Sequence, residues 1–354
     1  MTTGSYDFGS NNAVLIEKLC RWLSDNKCQV GTPFRLEKFP TGQSNPTYRL
    51  RTVQNGIELA FVLRTQPAGN LLKSAHAVDR EFRIMSALHK SSVPVPEMII
   101  YCDDPSVIGV KFFIMSEVAG ETIFEPVLNN YESIDRTKLF ESKVDTLVAL
   151  ANINPLDINL ENFGKPYGYI ERQLSIWTNQ YRASETVMVH EMEFLIKELP
   201  KVFKEPLSGF CVIHGDFRID NMLIRNRTKI AALIDWELST LGPTFIDISY
   251  WCAMLRMHKS WPIAGLGGVD RSALGIPDEN SLVTLFCKKT NLTKPNNWEA
   301  LIAFQCFRFT AILQGVLKRH SEGNASAKNA AEVGGQAKNV ATLGYKALKD
   351  FLEV

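Results

Sequence analysis

The most constraining feature of this sequence is a polar loop set among apolar runs. Val212-Ile213 leads into His214-Gly215-Asp216-Phe217-Arg218-Ile219-Asp220-Asn221, and Met222-Leu223-Ile224 follows. A further apolar run, Lys229 to Ile234, ends in Asp235-Trp236-Glu237. The polar turn Arg225-Asn226-Arg227-Thr228 joins the last two runs, a pattern that predicts a β-hairpin. Asn221 stands at the start of its first strand and Asp235 at the end of its second. Folding the hairpin therefore brings together an amide and a carboxylate that lie apart in sequence.

An acid and an amide side by side suit a hard, oxygen-seeking cation such as Mg2+. Asp216 lies on a loop that can face the same place. A carboxylate beside metal-bound phosphate can orient an incoming hydroxyl and accept its proton. A base, a metal-binding Asn and a metal-binding Asp form the set that phosphoryl transfer uses, because positioning and charge neutralisation supply most of that catalysis. Read singly, the three are a solvated acid, a turn asparagine and a capping aspartate.

The remaining sequence bounds the setting. Its 354 residues suffice for one large bilobal unit or two modest domains. With 39 basic and 38 acidic residues the net charge is +1, so nothing points to nucleic acid or an acidic membrane surface as partner. Seven cysteines are widely spaced with no CxxC pair, which favours a reducing compartment over a disulfide framework. The polar segment 1–12 lacks the basic and apolar regions of a signal peptide. No apolar run approaches the roughly 18 residues that crossing a bilayer demands. A cytoplasmic protein without a membrane partner is expected; oligomeric state is not legible.

Val14, Leu15, Leu19, Trp22 and Leu23 share one face of an expected helix over 13–27. Alternating segments at Phe34–Phe39, Thr47–Val53 and Glu58–Arg64, the last after the Asn55-Gly56 turn, predict an antiparallel sheet. Ala77–Leu88 reads as a helix with Phe82, Met85 and Leu88 inward, stopped by Val93-Pro94-Val95-Pro96. Strands follow near Met98–Cys102 and Phe112–Glu117. Beyond Gly120 the pattern turns helical, at Thr137–Ala151, Tyr169–Ser184, His190–Leu199, Ser281–Thr290, Trp298–His320 and Ala325–Leu352. Residues 260–280, rich in glycine and proline, read as an ordered loop.

The loop around Asp216 resembles the catalytic loop of the aminoglycoside phosphotransferase and choline kinase-like families, which share the protein-kinase-like fold. The resemblance runs along nearly the whole chain. It is nearest to the branch that also forms the N-terminal domain of certain animal acyl-CoA dehydrogenases. Supporting segments are Thr41 to Tyr48, Arg80-Glu81-Phe82, Arg172-Gln173-Leu174 with Trp177 and Tyr181, and Phe307-Arg308 with Gln314-Gly315-Val316. It implies an α+β, two-lobed fold: a small β-rich lobe over 1–117, covering the nucleotide, and a larger helical lobe over 118–354 with catalytic loop, metal site and substrate site.

By that resemblance Asp216 is the catalytic base, while Asn221 and Asp235 hold Mg2+. Gly42, Ser44 and Asn45 belong to the loop over the ATP phosphates, where backbone N–H groups and side-chain donors cradle an anion. Glu81 matches the helix glutamate that pairs with a phosphate-binding lysine on the preceding strand, but here that position is Arg64. Arginine keeps the charge and changes reach and fork geometry. Backbone groups of Glu117 to Ala119 would meet adenine, and His214 and Asp247 would brace the loop.

The implied activity is transfer of the ATP γ-phosphoryl group to a hydroxyl of a small molecule. A hydroxyacid or hydroxyacyl-CoA is favoured over an aminoglycoside, since the later helices show no acidic cluster for a cationic drug. The alternative is a catalytically silent nucleotide-binding module, which Arg64 favours. A protein kinase proper is disfavoured, because no activation segment separates Asp235-Trp236-Glu237 from Asp247. Trp177 and Tyr181 read as core packing. Arg308, Lys318 and Arg319 read as solvated or intrahelical, with an anionic substrate as the alternative.

Overall fold

A computed structural model describes residues 13–32, 34–39, 45–67, 77–165, 167–204, 207, 209–323 and 329–353. These form two compact units, one running to Ala119 and including Ala231–Glu237, the other comprising Gly120–Ile230 and the chain from Leu238 onward. The loop residues Gly42 and Ser44 lie outside the described residues.

The first unit opens with α1 (Ala13–Asp25), followed by β1 (Phe34–Lys38), β2 (Thr47–Gln54) and β3 (Ile57–Thr65), then α2 (Val78–Leu88), β4 (Met98–Cys102) and β5 (Phe112–Ser116). The strands make one antiparallel sheet in the order β1-β2-β3-β5-β4. Side chains alternate across a strand, and here the alternation sorts two cores. Phe61, Leu63, Phe112 and Ile114 join Leu19 and Leu23 of α1. Val14, expected on that inward face, is 62% exposed in the first turn of α1, whose buried residues are Leu19 and Leu23. Phe113 turns to the opposite face and meets Phe82 of α2, ring centroids 6.0 Å apart. Arg64, register partner of Phe113, follows it to the α2 face.

The sequence expectation gave all of 118–354 to the helical lobe. Ala231–Glu237 instead belongs to the first unit, where the Leu233 N–H donates to the Pro94 carbonyl (2.8 Å) and Asp235 pairs with Arg64.

The second unit contains α3 (Ser133–Ala151), α4 (Tyr169–Ser184), α5 (His190–Val202), β6 (Cys211–Ile213), a 3-10 turn (Ile219–Asn221) and β7 (Met222–Arg225). Then come β8 (Lys229–Leu233), whose residues from Ala231 onward belong to the first unit, β9 (Thr240–Gly242), α6 (Ile246–Arg256), α7 (Arg271–Leu274), α8 (Glu279–Thr290), α9 (Trp298–Ser321), α10 (Ala330–Gly335) and α11 (Ala337–Leu352). The expected hairpin is β7 and β8, with Asn226 and Arg227 both at positive φ in its turn.

Four features differ from the sequence expectation. Every residue from Ile246 to Leu255 is buried, so α6 shows no amphipathic period to detect. The expected loop over 260–280 contains α7, capped by the Asp270 carboxylate accepting from the Ala273 N–H and closed by Gly275 at φ +69°. The single helix expected over 325–352 breaks between α10 and α11, and 325–328 lie outside the described residues. Gly334 lets α10 approach α9, since a Cβ there would stand 2.7 Å from the Leu317 backbone nitrogen. Finally, α9 is long and apolar enough to cross a membrane by composition, contrary to the expectation that no such run exists. It is instead largely buried inside this unit, with α4, α5, α6, α10 and α11 packed on it.

Candidate active site

In the second unit, the loop after β6 is held from below by one acid. Asp247, at the start of α6, accepts hydrogen bonds from the His214 N–H (2.7 Å) and the Gly215 N–H (2.9 Å). Burial pushes the Asp247 carboxyl up, and the His214 ring and the two N–H donors pull it back only in part. Gly215 sits at φ +86°, and a Cβ there would stand 2.7 Å from the Leu238 carbonyl oxygen, so the turn requires glycine. The buried His214 ring accepts from the Asp216 N–H at Nδ1 (3.2 Å). These contacts fix the backbone on which Asp216 rides.

Three residues then fix the Asp216 carboxylate. Oδ1 accepts from Arg218 Nε (2.9 Å) and the Tyr250 hydroxyl (2.6 Å), while Oδ2 accepts from Asn221 Nδ2 (2.8 Å). Burial pushes this carboxyl up, but Arg218, Tyr250, His214 and Asn221 outweigh it and leave it below the ordinary aspartate value. A carboxylate has about four acceptor directions, and three are taken here. The remaining one, on Oδ2, meets no donor among the described residues. Asn221 spends its amide nitrogen on Asp216, at Oδ2 and at the main-chain oxygen (2.9 Å), leaving its Oδ1 without a donor among the described residues.

In the first unit a second polar cluster forms on the α2 face of the sheet. Arg64 Nε lies 2.8 Å from Glu81 Oε2, and its Nη2 reaches Asp235 Oδ1 at 2.9 Å. Asn45 Nδ2 donates to the other Glu81 oxygen (2.7 Å). Burial lowers the affinity of Arg64 for its proton, but Glu81 and Asp235 more than offset it, so the guanidinium stays charged. Burial pushes the Glu81 carboxyl up, and Arg64 opposes that rise. Asp235 takes φ +66°, a left-handed conformation in which aspartate is tolerated and which concentrates at functional sites. Glu81, Asp235 and Glu237 bring carboxylate oxygens within 4.8 Å of one another. Three carboxylates around one guanidinium leave excess negative charge, and hard oxygen donors of this kind fit Mg2+.

Residues 35–274 match the model of the phosphotransferase enzyme family. The chain belongs to that family. Acyl-CoA dehydrogenase family member 10 of Mus musculus is 38% identical over 315 residues, covering 88% of this chain and 29% of the mouse protein. The chain thus spans about a third of the length of that relative. A solved Ralstonia eutropha structure, provisionally assigned as an aminoglycoside phosphotransferase, is 34% identical with a TM-score of 0.84, over 94% of this chain and 98% of that one. An aminoglycoside phosphotransferase solved with ADP and hygromycin B shares the fold at 13% identity and a TM-score of 0.59, over 93% of this chain and 98% of that one. The protein-kinase-like fold expected from the motif is therefore present, and so is the branch found in acyl-CoA dehydrogenase relatives.

Within this phosphotransferase fold, Asp216 and Asn221 are brought together, as are Asn45, Arg64, Glu81 and Asp235. Glu117 follows β5, where its N–H donates to the Ala60 carbonyl (3.4 Å) and its carboxylate pairs with Arg49 (2.6 Å). Ala119 closes the first unit. Tyr181 is a fully buried core residue, whereas Trp177 is only half-buried and faces Arg308. Three residues were not singled out from sequence: Arg218, Tyr250 and Glu237. Arg218 and Glu237 lie inside the motif. Tyr250 lies within the unpatterned α6, where no signal marks it.

Proposed function

We propose that this chain transfers the γ-phosphoryl group of ATP to a hydroxyl of a small molecule. The observation that carries this reading is the Asp216 carboxylate, held by Arg218, Tyr250 and Asn221 on a loop braced by Asp247. A base kept ionised and with one free acceptor direction suits the alignment of an alcohol more than early proton removal. That matches a loose transition state, in which the nucleophile needs positioning first.

In the proposed step the acceptor oxygen bonds to the γ-phosphorus as the bond between that phosphorus and the β–γ bridging oxygen breaks. ADP leaves with the bond's electron pair, and the hydroxyl proton passes to Asp216. Asn221, through Oδ1, and Asp235, through its carboxylate, are the residues that would hold Mg2+. The ion would neutralise phosphate charge. Arg64 would contribute fixed positive charge toward phosphate, steadied by Glu81. Asn45, with Gly42 and Ser44, would supply donors to the phosphates, and the main chain from Glu117 to Ala119 would meet adenine.

The relative named as an acyl-CoA dehydrogenase supports a hydroxyacid or hydroxyacyl-CoA as acceptor. The ADP-bound neighbour supports an adenine nucleotide as donor. A second reading, a silent nucleotide-binding module, is favoured by one contact: Arg64 occupies an oxygen of Asp235 that a metal would need. ATP consumption against a panel of hydroxylated compounds, with and without Mg2+, separates the two. Acceptor-dependent ADP release supports transfer, and its absence across the panel supports the silent module.

A further inference from the structure

Lys143 stands midway along α3 and is only 2% exposed. Its side-chain nitrogen meets three aromatic rings, with centroids at 4.4 Å for Trp251, 5.8 Å for Phe217 and 5.9 Å for Phe140. The rings also pack on one another, Phe140 and Phe217 lying 5.7 Å and 6.1 Å from Trp251. Among the described residues Lys143 makes no hydrogen bond or ion pair. The polar atom of the cage, Trp251 Nε1, is a donor, itself buried without a partner.

Two of these rings adjoin residues of the Asp216 site. Phe217 follows Asp216, and Trp251 follows Tyr250, whose hydroxyl donates to Asp216. The acid whose field reaches Lys143 is Asp220, in the 3-10 turn. Asp220 Oδ2 accepts from Arg218 Nη2 (3.2 Å), and Nε of the same guanidinium holds Asp216 Oδ1 (2.9 Å). Asp220 is thus the second anchor of the arginine that fixes Asp216. Cys252 of α6 also reaches Lys143, as a thiol that burial keeps protonated. Of the other elements packed on α3, β6 carries the buried thiol Cys211. The remaining one, α8, carries Lys289, which pairs with Asp145 on the exposed side of α3.

A neutral amine sits in this cage at little cost. An ammonium gains attraction from the rings, yet a buried charge without a counter-ion is expensive. Burial accordingly lowers Lys143 to about 7. Once charged, it shares the Asp220 carboxylate with Arg218, and one anion then serves two cations.

We propose that Lys143 is a proton-sensitive positioning residue for Asp216: its amine leaves Asp220 to Arg218, and its ammonium competes for Asp220 and loosens the Arg218 clamp. The kinetic consequence rests on the phosphotransfer reading above; the coupling of the side chains does not. Transfer should fall as the solution is acidified through neutral pH. Asp216 titrates below the ordinary aspartate value and supplies no limb there.

NMR of the intact chain, carrying 13C at lysine Cε and 15N at arginine Nε, tests the coupling without turnover. One lysine signal, absent from Lys143→Met, should titrate at about 7. The Arg218 Nε–H signal should move with the same midpoint. In Lys143→Met that signal should stay fixed, and in Asp220→Asn it should cease to follow the lysine. With Mg-ATP and a hydroxylated acceptor, kcat should fall about tenfold from pH 8 to pH 6, as expected for displacement of an aligning group by a fraction of an ångström. Lys143→Met should hold kcat within about twofold over that range, whereas a purely structural role would lower it equally at every pH. Should Lys143→Met fail to fold, the titrations of the unaltered chain and of Asp220→Asn still decide. No lysine titrating below about 9, an Arg218 signal that ignores it, a kcat level from pH 8 to pH 6, or a fall that persists in Lys143→Met would each overturn the proposal. Coupled titrations with no ADP formed from any acceptor would instead sink the phosphotransfer reading and leave the coupling standing.

Discussion

The Tyr250 hydroxyl donates a 2.6 Å hydrogen bond to Oδ1 of Asp216, the same oxygen that receives Arg218 Nε at 2.9 Å. Two donors on one oxygen keep the carboxylate ionised and fix its plane, leaving Oδ2 to Asn221 and the acceptor. Tyr250→Phe removes one of the forces that depress the Asp216 titration. The acid limb of the kcat/KM profile should therefore move to higher pH, with kcat down about tenfold for one lost charge-assisted bond. A pH–rate profile of the variant checks both, and an unmoved acid limb would remove Tyr250 from the site.

Arg64 bridges two carboxylates in the first unit. Removing one partner of a buried pair leaves the other charge uncompensated, at about 3 kcal/mol or more. Arg64→Ala should lower unfolding stability by that order and raise the KM for ATP about tenfold. Arg64→Lys should recover much of the stability, because Glu81 regains a cation. Urea unfolding of the three proteins measures this.

Lys143 is buried in α3 with its ammonium 4.4 Å from the Trp251 ring centroid and 5.8 Å from that of Phe217. Among the described residues it makes no hydrogen bond or ion pair. Burial lowers its pKa from 10.5 to about 7, with Asp220 and Cys252 opposing the shift. Between those values the unfolded chain binds a proton that the folded chain does not, so stability should rise with pH across this window. The charging cost is fully present below about 7. Lys143→Met should flatten that rise and stabilise the protein at neutral pH by roughly 1 kcal/mol or more, net of lost cation–π attraction. Thermal unfolding from pH 6 to 10 is the readout.

Asp247 takes two backbone donors of the loop that carries Asp216, and an amide replacing it can accept at only one oxygen. Asp247→Asn should cost about 1–3 kcal/mol of stability for the orphaned N–H. It should also lower kcat while leaving the KM for ATP nearly unchanged, since the loop carries Asp216. A KM rise with intact kcat would contradict this division of labour.

Much of this was readable from residues. The alternation that puts Leu63 and Arg64 on opposite sheet faces is visible in the sequence, and so is the hairpin that follows Asn221 and precedes Asp235. The left-handed turn at Gly215 is announced by the glycine itself. Tyr250 was not legible, because α6 is buried on all sides and carries no periodic face to orient it. Arg308 could be named but not judged, since only packing reveals that Gln305 takes one of its donors and that, among the described residues, no acid pairs with it. The break between α10 and α11 carries no proline to announce it, and the close approach of Gly334 to Leu317 is a matter of tertiary packing.

The most direct test incubates the intact chain with Mg-ATP and the panel of hydroxylated compounds, following ADP and any phosphate ester by phosphorus NMR. Asp216→Asn and Asp235→Asn are run beside it. The expected result is an ester formed together with ADP, slowed by about 100-fold or more in Asp216→Asn, within the range that general-base removal produces, and lost in Asp235→Asn. No ester from any acceptor, or full transfer activity in Asp216→Asn, would contradict the account.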